Sequence, residues 1–175
     1  MRCFIGIPLP NNVVSGLVKA EECFKKVDAR MSIVRGANMH VTLVFLDEIN
    51  DTAKIIESLS KVKFKQFKAS VKDLSFFPKS GYIRVVHSPV NIGAKDVIAL
   101  YDSIVGALGV AREEHFNPHV TLSRVKFVKS TNELSRACFG VKFEEEFVVS
   151  SFNLYKSELT HGGSVYEVIA SFKGE

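Results

Sequence analysis

His40-Val41-Thr42-Leu43 and His119-Val120-Thr121-Leu122 are the same tetrapeptide, occurring twice in one chain, 79 residues apart. The chain is 175 residues long, so the spacing is close to half its length. With five histidines, an identical Val-Thr-Leu after two of them would arise by chance in roughly a few chains per thousand at average residue frequencies. The repeat therefore reads as an internal duplication, each half supplying one equivalent strand. Both copies lie in apolar, β-branched surroundings that favour strands. Strand side chains alternate between faces with period two. His40 then shares a face with Thr42, and His119 with Thr121. Val41, Leu43, Val120 and Leu122 point the other way, toward a core that helices cover.

Further elements follow on either side of the repeat. Arg2 to Leu9 predicts a first strand, stopped by Pro8 and Pro10. Asn11 and Asn12 are candidate caps for a helix over 13–27, and Met31 to Val34 is a short extended stretch. Asp51 caps a helix over 52–62. Phe67 to Phe77 and Tyr82 to Val86 predict a hairpin around Pro78, Ser80 and Gly81. Ile92 to Leu108 predicts a helix, Asn132 to Cys138 a shorter one, and Phe143 to Leu154 and Val165 to Phe172 two closing strands. Several consecutive strands are joined by short turns, which favours α+β with antiparallel sheets over a doubly wound parallel sheet. The weakest joint lies at Ser88 to Gly93, where two lobes could part. Phe4 and Phe45 are expected in the core.

If the two halves face each other across a cleft, two imidazoles and two hydroxyls converge. That set suits phosphoryl chemistry. Imidazole titrates near neutrality, so one ring can accept a proton while the other donates one. In-line displacement needs the entering and leaving groups on opposite sides of phosphorus, which one histidine per lobe provides. Threonine hydroxyls can donate hydrogen bonds to the non-bridging oxygens. On this chemistry alone the two histidines are interchangeable. His87, His115 and His161 show no metal-ligand spacing, and no G-x-S-x-G, P-loop or H-E-x-x-H occurs. No metal and no cofactor are expected.

A net charge of +4 suits an anionic ligand without requiring one. Three cysteines without a CxxC argue against a disulfide framework and for free thiols in a reducing compartment. The opening MRCFIGIPLP reads as a strand rather than a secretory leader, and no apolar run approaches membrane-spanning length. A cytoplasmic monomer with no membrane contact is expected.

The chain resembles the two-histidine phosphoesterases, in particular the RNA 2′,3′-cyclic phosphodiesterases historically called 2′-5′ RNA ligases. The resemblance runs through the opening strand, Asn38-Met39-His40-Val41-Thr42-Leu43-Val44-Phe45-Leu46, Phe76-Phe77-Pro78, Phe116-Asn117-Pro118-His119-Val120-Thr121-Leu122-Ser123-Arg124, and Leu154-Tyr155-Lys156-Ser157-Glu158-Leu159 with Tyr166 beyond. It implies one two-lobed domain over 1–175: a pseudo-symmetric α+β fold, with two antiparallel sheets facing a central cleft and helices outside. It implies that His40 donates a proton, that His119 accepts one, that Thr42 and Thr121 bind phosphate, and that no metal is needed. The implied reaction opens a 2′,3′-cyclic phosphate on RNA to a 2′-phosphate. Ile33 stands where such proteins usually carry an aromatic. Arg124 lies on the wrong face by strict alternation, and a bulge would bring it to the cleft to meet phosphate or base. Phe116 is a further candidate for the cleft wall. Two other readings compete. One is joining of RNA ends through a 2′-5′ bond, the same chemistry in reverse; the other is a nucleotide- or RNA-binding module without catalysis.

Overall fold

A computed structural model describes residues 1–175. The elements run β1 (Arg2–Pro8), α1 (Asn11–Ala20), a 3₁₀ turn (Glu21–Lys26), β2 (Ala29–Ile33), a second 3₁₀ turn (Gly36–Asn38), β3 (His40–Glu48), α2 (Thr52–Ser60), β4 (Phe67–Lys72), β5 (Ser75–Phe77), β6 (Val85–Pro89), α3 (Ala94–Leu108), β7 (His119–Val128), α4 (Thr131–Phe139), β8 (Glu144–Val149), β9 (Ser151–Thr160) and β10 (Gly163–Lys173). Eight strands form one sheet in the order β10-β9-β1-β3-β7-β6-β5, with β2 also on β7, and β4 and β8 form a second, two-stranded sheet. Every strand pairing is antiparallel. The α+β class expected from the sequence is what the chain adopts.

The large sheet has two halves, joined only where Val41 of β3 stands opposite Val120 of β7. On one side β9 and β10, from the end of the chain, join β1 and β3. On the other, β2, from its beginning, joins β7, and β5 joins β6 beside it. The lobes therefore interlock. The duplication is visible in the register. Pro8 faces His40 across β1 and β3, as Pro89 faces His119 across β6 and β7. The helices after the two repeat strands start alike. Asp51 accepts from the Lys54 amide at the head of α2, and Ser130 from the Glu133 amide at the head of α4, each satisfying a helix-end donor.

Beneath the sheet lies a single cluster of 36 buried apolar residues. Val41, Leu43, Val120 and Leu122 are at most 2% exposed within it. The same cluster takes in residues of the helices, including Val13 and Leu17 of α1, Leu100 and Ile104 of α3, and Leu134 of α4. Truncating one such leucine to alanine costs about 2–5 kcal/mol, so these four residues anchor the strands that carry the histidines.

Several boundaries differ from the sequence reading, each for a local reason. The first helix ends at Ala20 and tightens into the 3₁₀ turn, and it is capped by the backbone at Pro10 rather than by Asn11 or Asn12. The expected strand over 67–77 is two strands. Asp73, with φ 54°, breaks it, so that β4 pairs with β8 while β5 pairs with β6. The strand over 143–154 divides in the same way into β8 and β9. Ser88 to Gly93 is no joint. Ser88 is fully buried, and Ser70 exchanges backbone hydrogen bonds with Asn91 and Ile92. No helix is long and apolar enough to cross a membrane.

Candidate active site

The pairing of Val41 with Val120 decides the site. In an antiparallel pair, residues flanking two opposed residues project from the same face, opposite to that of the pair. His40 and Thr42 on one strand, and His119 and Thr121 on the other, therefore emerge together from the face away from the core. All four line one open cleft of about 1150 Å³. Arg124, Phe116, Phe77, Arg2 and Tyr166 line it too.

Each imidazole is held in the same way. Nδ1 of His40 donates to the Asn38 carbonyl oxygen at 2.7 Å, and Nδ1 of His119 to the Asn117 carbonyl oxygen at 2.7 Å. That bond fixes the tautomer of the neutral rings and leaves Nε2 as the nitrogen with the free lone pair. Neither asparagine was expected in the site. The signal was present, since Asn38 and Asn117 are themselves 79 residues apart.

The lobes then differ. Nε2 of His40 is 2.8 Å from the Thr42 hydroxyl, whereas Nε2 of His119 has no hydrogen-bond partner within the chain. His40 lies over Phe4, with 4.6 Å between ring centroids, and meets the edge of Tyr166. It needs this room. Opposite Thr42 stands Gly6, where a Cβ would meet His40 Cδ2 and the Val41 carbonyl oxygen, each at 3.0 Å. The matching position opposite Thr121 is His87, a buried residue that the sequence reading gave no role. Its ring stacks on Phe77 and lies against His119.

Burial pushes both cleft imidazoles below the usual histidine range, against the pull of their carbonyl partners. His119 lowers His40 further by charge, Arg124 acts likewise on His119, and Glu113 opposes it. Both rings thus favour the neutral form. An anion bound between them reverses the balance, because it rewards the charged form of its nearer donor.

A bulge brings Arg124 to the cleft. Val86 pairs with Ser123 and His87 with Thr121, leaving Leu122 as the extra residue on β7. The alternation shifts by one position beyond it, and Arg124 turns to the open face. The first repeat bulges at the same point. Ile5 pairs with Val44 and Gly6 with Thr42, leaving Leu43 extra, and the residue matching Arg124 is Phe45. Phe45 is therefore not in the core as expected. It is 68% exposed on the cleft wall, while Phe4 is buried. Phe116 serves both purposes, stacking at 3.9 Å on the buried Tyr101 while lining the cleft.

Comparison with known proteins shows the family. Residues 28–161 match the family described as the 2′-5′ RNA ligase superfamily. The chain belongs to that superfamily. It is 33% identical to the RNA 2′,3′-cyclic phosphodiesterase of Methanocaldococcus jannaschii, over 97% of this chain and 98% of the relative. It is 30% identical to the protein of the same name from Thermotoga maritima, over 97% of this chain and 93% of the relative. Among solved structures, TT0787 of Thermus thermophilus superposes with a TM-score of 0.82 at 25% identity, covering 99% of this chain and 97% of that one. E. coli LigT complexed with 3′-AMP superposes with a TM-score of 0.77 at 22% identity, over 98% and 97% of the two chains. Membership of the superfamily thus rests on sequence, and the fold on both.

Proposed function

We propose that this chain, acting as one catalytic unit, hydrolyses the 2′,3′-cyclic phosphate at the end of an RNA, with His119 as base and His40 as acid. The single observation that carries the reading is the Val41–Val120 register, which sets two His-Thr pairs on one face of a cleft. The near-full-length relatives named RNA 2′,3′-cyclic phosphodiesterase support it.

The chemistry runs through the two Nε2 atoms. His119 Nε2, free of any partner in the chain, takes a proton from water as the water oxygen attacks phosphorus. The bond from phosphorus to the ribose 3′-oxygen breaks in line, and His40 Nε2–H delivers its proton to that oxygen. A 2′-phosphate remains. Thr42 and Thr121 hydroxyls donate to the non-bridging oxygens, where charge develops. Arg124 and Phe116 on the walls contact the substrate beyond the phosphate. Nothing in this sequence of proton transfers calls on a metal ion.

The test is incubation with an oligoribonucleotide ending in a 2′,3′-cyclic phosphate, in the presence of chelator. Release of the monoester is expected. His40→Ala and His119→Ala should each lower kcat by about 10²–10⁴, with circular dichroism unchanged. Full activity in either variant, or activity lost in EDTA and restored by a divalent ion, would refute the mechanism.

A further inference from the structure

A second groove of about 310 Å³ opens beside the cleft. The two share Val34, Asn38, Arg124, Ser164 and Tyr166 as walls, so a chain leaving the cleft can run straight into the groove. Its charged lining is Arg35 and Arg124, with no carboxylate. The cleft wall around Arg2, by contrast, carries Asp47 and Glu48, and the far loop carries Glu113. A polyanion anchored at the two histidines is repelled along those directions and attracted along the groove.

The groove is also built. Arg35 donates from its guanidinium to the Gly162 carbonyl oxygen at 2.6 Å, and the Asn38 amide to the Ser164 carbonyl oxygen at 2.7 Å. These bonds pin the β9–β10 turn against the segment that leads into His40. Arg35 spends one donor on this pin. Neither Arg35 nor Arg124 is in an ion pair. Ile33, 44% exposed, and Leu159, 81% exposed, stand on the rim and give apolar surface for bases to cover.

We propose that this groove is the path of the RNA strand leading away from its cyclic end, with Arg35 and Arg124 facing its phosphates. The inference rests on the cyclic-phosphate reading of the cleft and makes the preferred substrate an oligonucleotide rather than a cyclic mononucleotide.

Two measurements on the full-length chain test it. In the first, kcat/KM is compared for 2′,3′-cyclic AMP and for a short oligoribonucleotide with the same cyclic end, in wild type, Arg35→Gln and Arg35→Lys. Glutamine removes the charge and, two atoms shorter than the guanidinium, also gives up the bond to Gly162, so Arg35→Lys is the variant that keeps the charge. Arg35→Gln should cost the oligonucleotide at least about fivefold more than the mononucleotide, through KM, and Arg35→Lys should recover most of the loss. In the second, fluorescence anisotropy follows binding of a labelled oligoribonucleotide bearing a 3′-phosphate as salt is raised. Arg35→Gln should flatten the plot of log affinity against log salt by about 0.7, the amount of one single-strand phosphate contact. Equal losses on both substrates, or an unchanged salt slope, would overturn the groove assignment. If wild type opens neither cyclic substrate, the catalytic reading fails, and the anisotropy slope still decides the groove.

Discussion

The imidazole of His87 lies edge to face against that of His119, with 5.0 Å between ring centroids. It is also stacked on Phe77 at 3.9 Å, and neither ring nitrogen makes a hydrogen bond of good geometry. His87 packs as a flat plate between Phe77 and His119, and burial pushes its pKa down from 6.5 to about 3.

A stability prediction follows from that depressed value. In the unfolded chain His87 binds a proton below about 6.5; in the folded chain it does so only below about 3. Its contribution to stability is therefore complete above pH 6.5 and is lost as pH falls from there toward 3. Between pH 7 and pH 5 the loss from this group is on the order of 2 kcal/mol. His87→Phe keeps a ring against Phe77 and removes the titration. Urea unfolding at the two pH values should show a smaller acid loss in the variant. An equal loss in both proteins would show that His87 is solvated.

How far the site was legible in the sequence depends on period. The doubled His-Val-Thr-Leu fixed two strands and their faces, because alternation needs only local geometry. It fixed Arg124 only as a question, since whether Leu122 bulges is decided by its pairing with β6 and not by its own segment. The same dependence on a distant partner sent Phe45 to the core on paper and to the cleft in the molecule. Strand partners at long range were likewise invisible. Nothing within 67–77 announces that β4 leaves for β8 at Asp73, apart from the one backbone site with positive φ. His87 was missed because a histidine without ligand spacing carries no motif; only the pairing of β6 with β7 brings it beside His119.

The pH profile of catalysis follows from the two cleft histidines. On the proposed assignment, the competent form has His40 protonated and His119 neutral. Both are held below the usual histidine range, chiefly by burial, so the bell in kcat/KM, which reports the free enzyme, should centre on the acid side of 6.5 rather than at neutrality. The bell in kcat should lie at higher pH, because the bound phosphodiester anion favours the His40 imidazolium. Initial rates from pH 4.5 to 8.5 at constant ionic strength will show this. A kcat/KM optimum above 7 would contradict the assignment of burial as the dominant influence.

The threonines should not be equivalent. Thr121 is expected to contact phosphate alone, whereas the Thr42 hydroxyl also touches His40 Nε2. Removing one donor from a developing anion typically costs about 10²–10³ in kcat. Thr121→Val should lower kcat within that range and leave the shape of the pH profile alone. Thr42→Val should lower kcat at least as far and also move the limb of the profile that belongs to His40. Valine preserves the shape of threonine, so folding is not at stake. Identical pH profiles in the two variants would mean that the Thr42–His40 contact does not survive substrate binding.

The product end tests the direction of the whole reaction. A 2′,3′-cyclic phosphate can open to a 2′- or a 3′-phosphate, according to which ribose oxygen lies in line with the attacking water. The duplication by itself leaves this undecided, since each lobe offers a His-Thr pair. The lobes differ in what Nε2 touches. On His119 it is free to receive a water, while on His40 it is 2.8 Å from the Thr42 hydroxyl, and the proposed assignment gives the water to the open nitrogen. On that assignment water enters from the side of β7, and the leaving oxygen stands on the side of β3. With the 3′-oxygen in that place, the product is the 2′-phosphate. Phosphorus NMR of the product against both authentic standards resolves the two. A predominantly 3′-phosphate product would place the 2′-oxygen beside the acid, turn the ribose over in the cleft, and remove the basis for assigning His40 as donor to the 3′-oxygen.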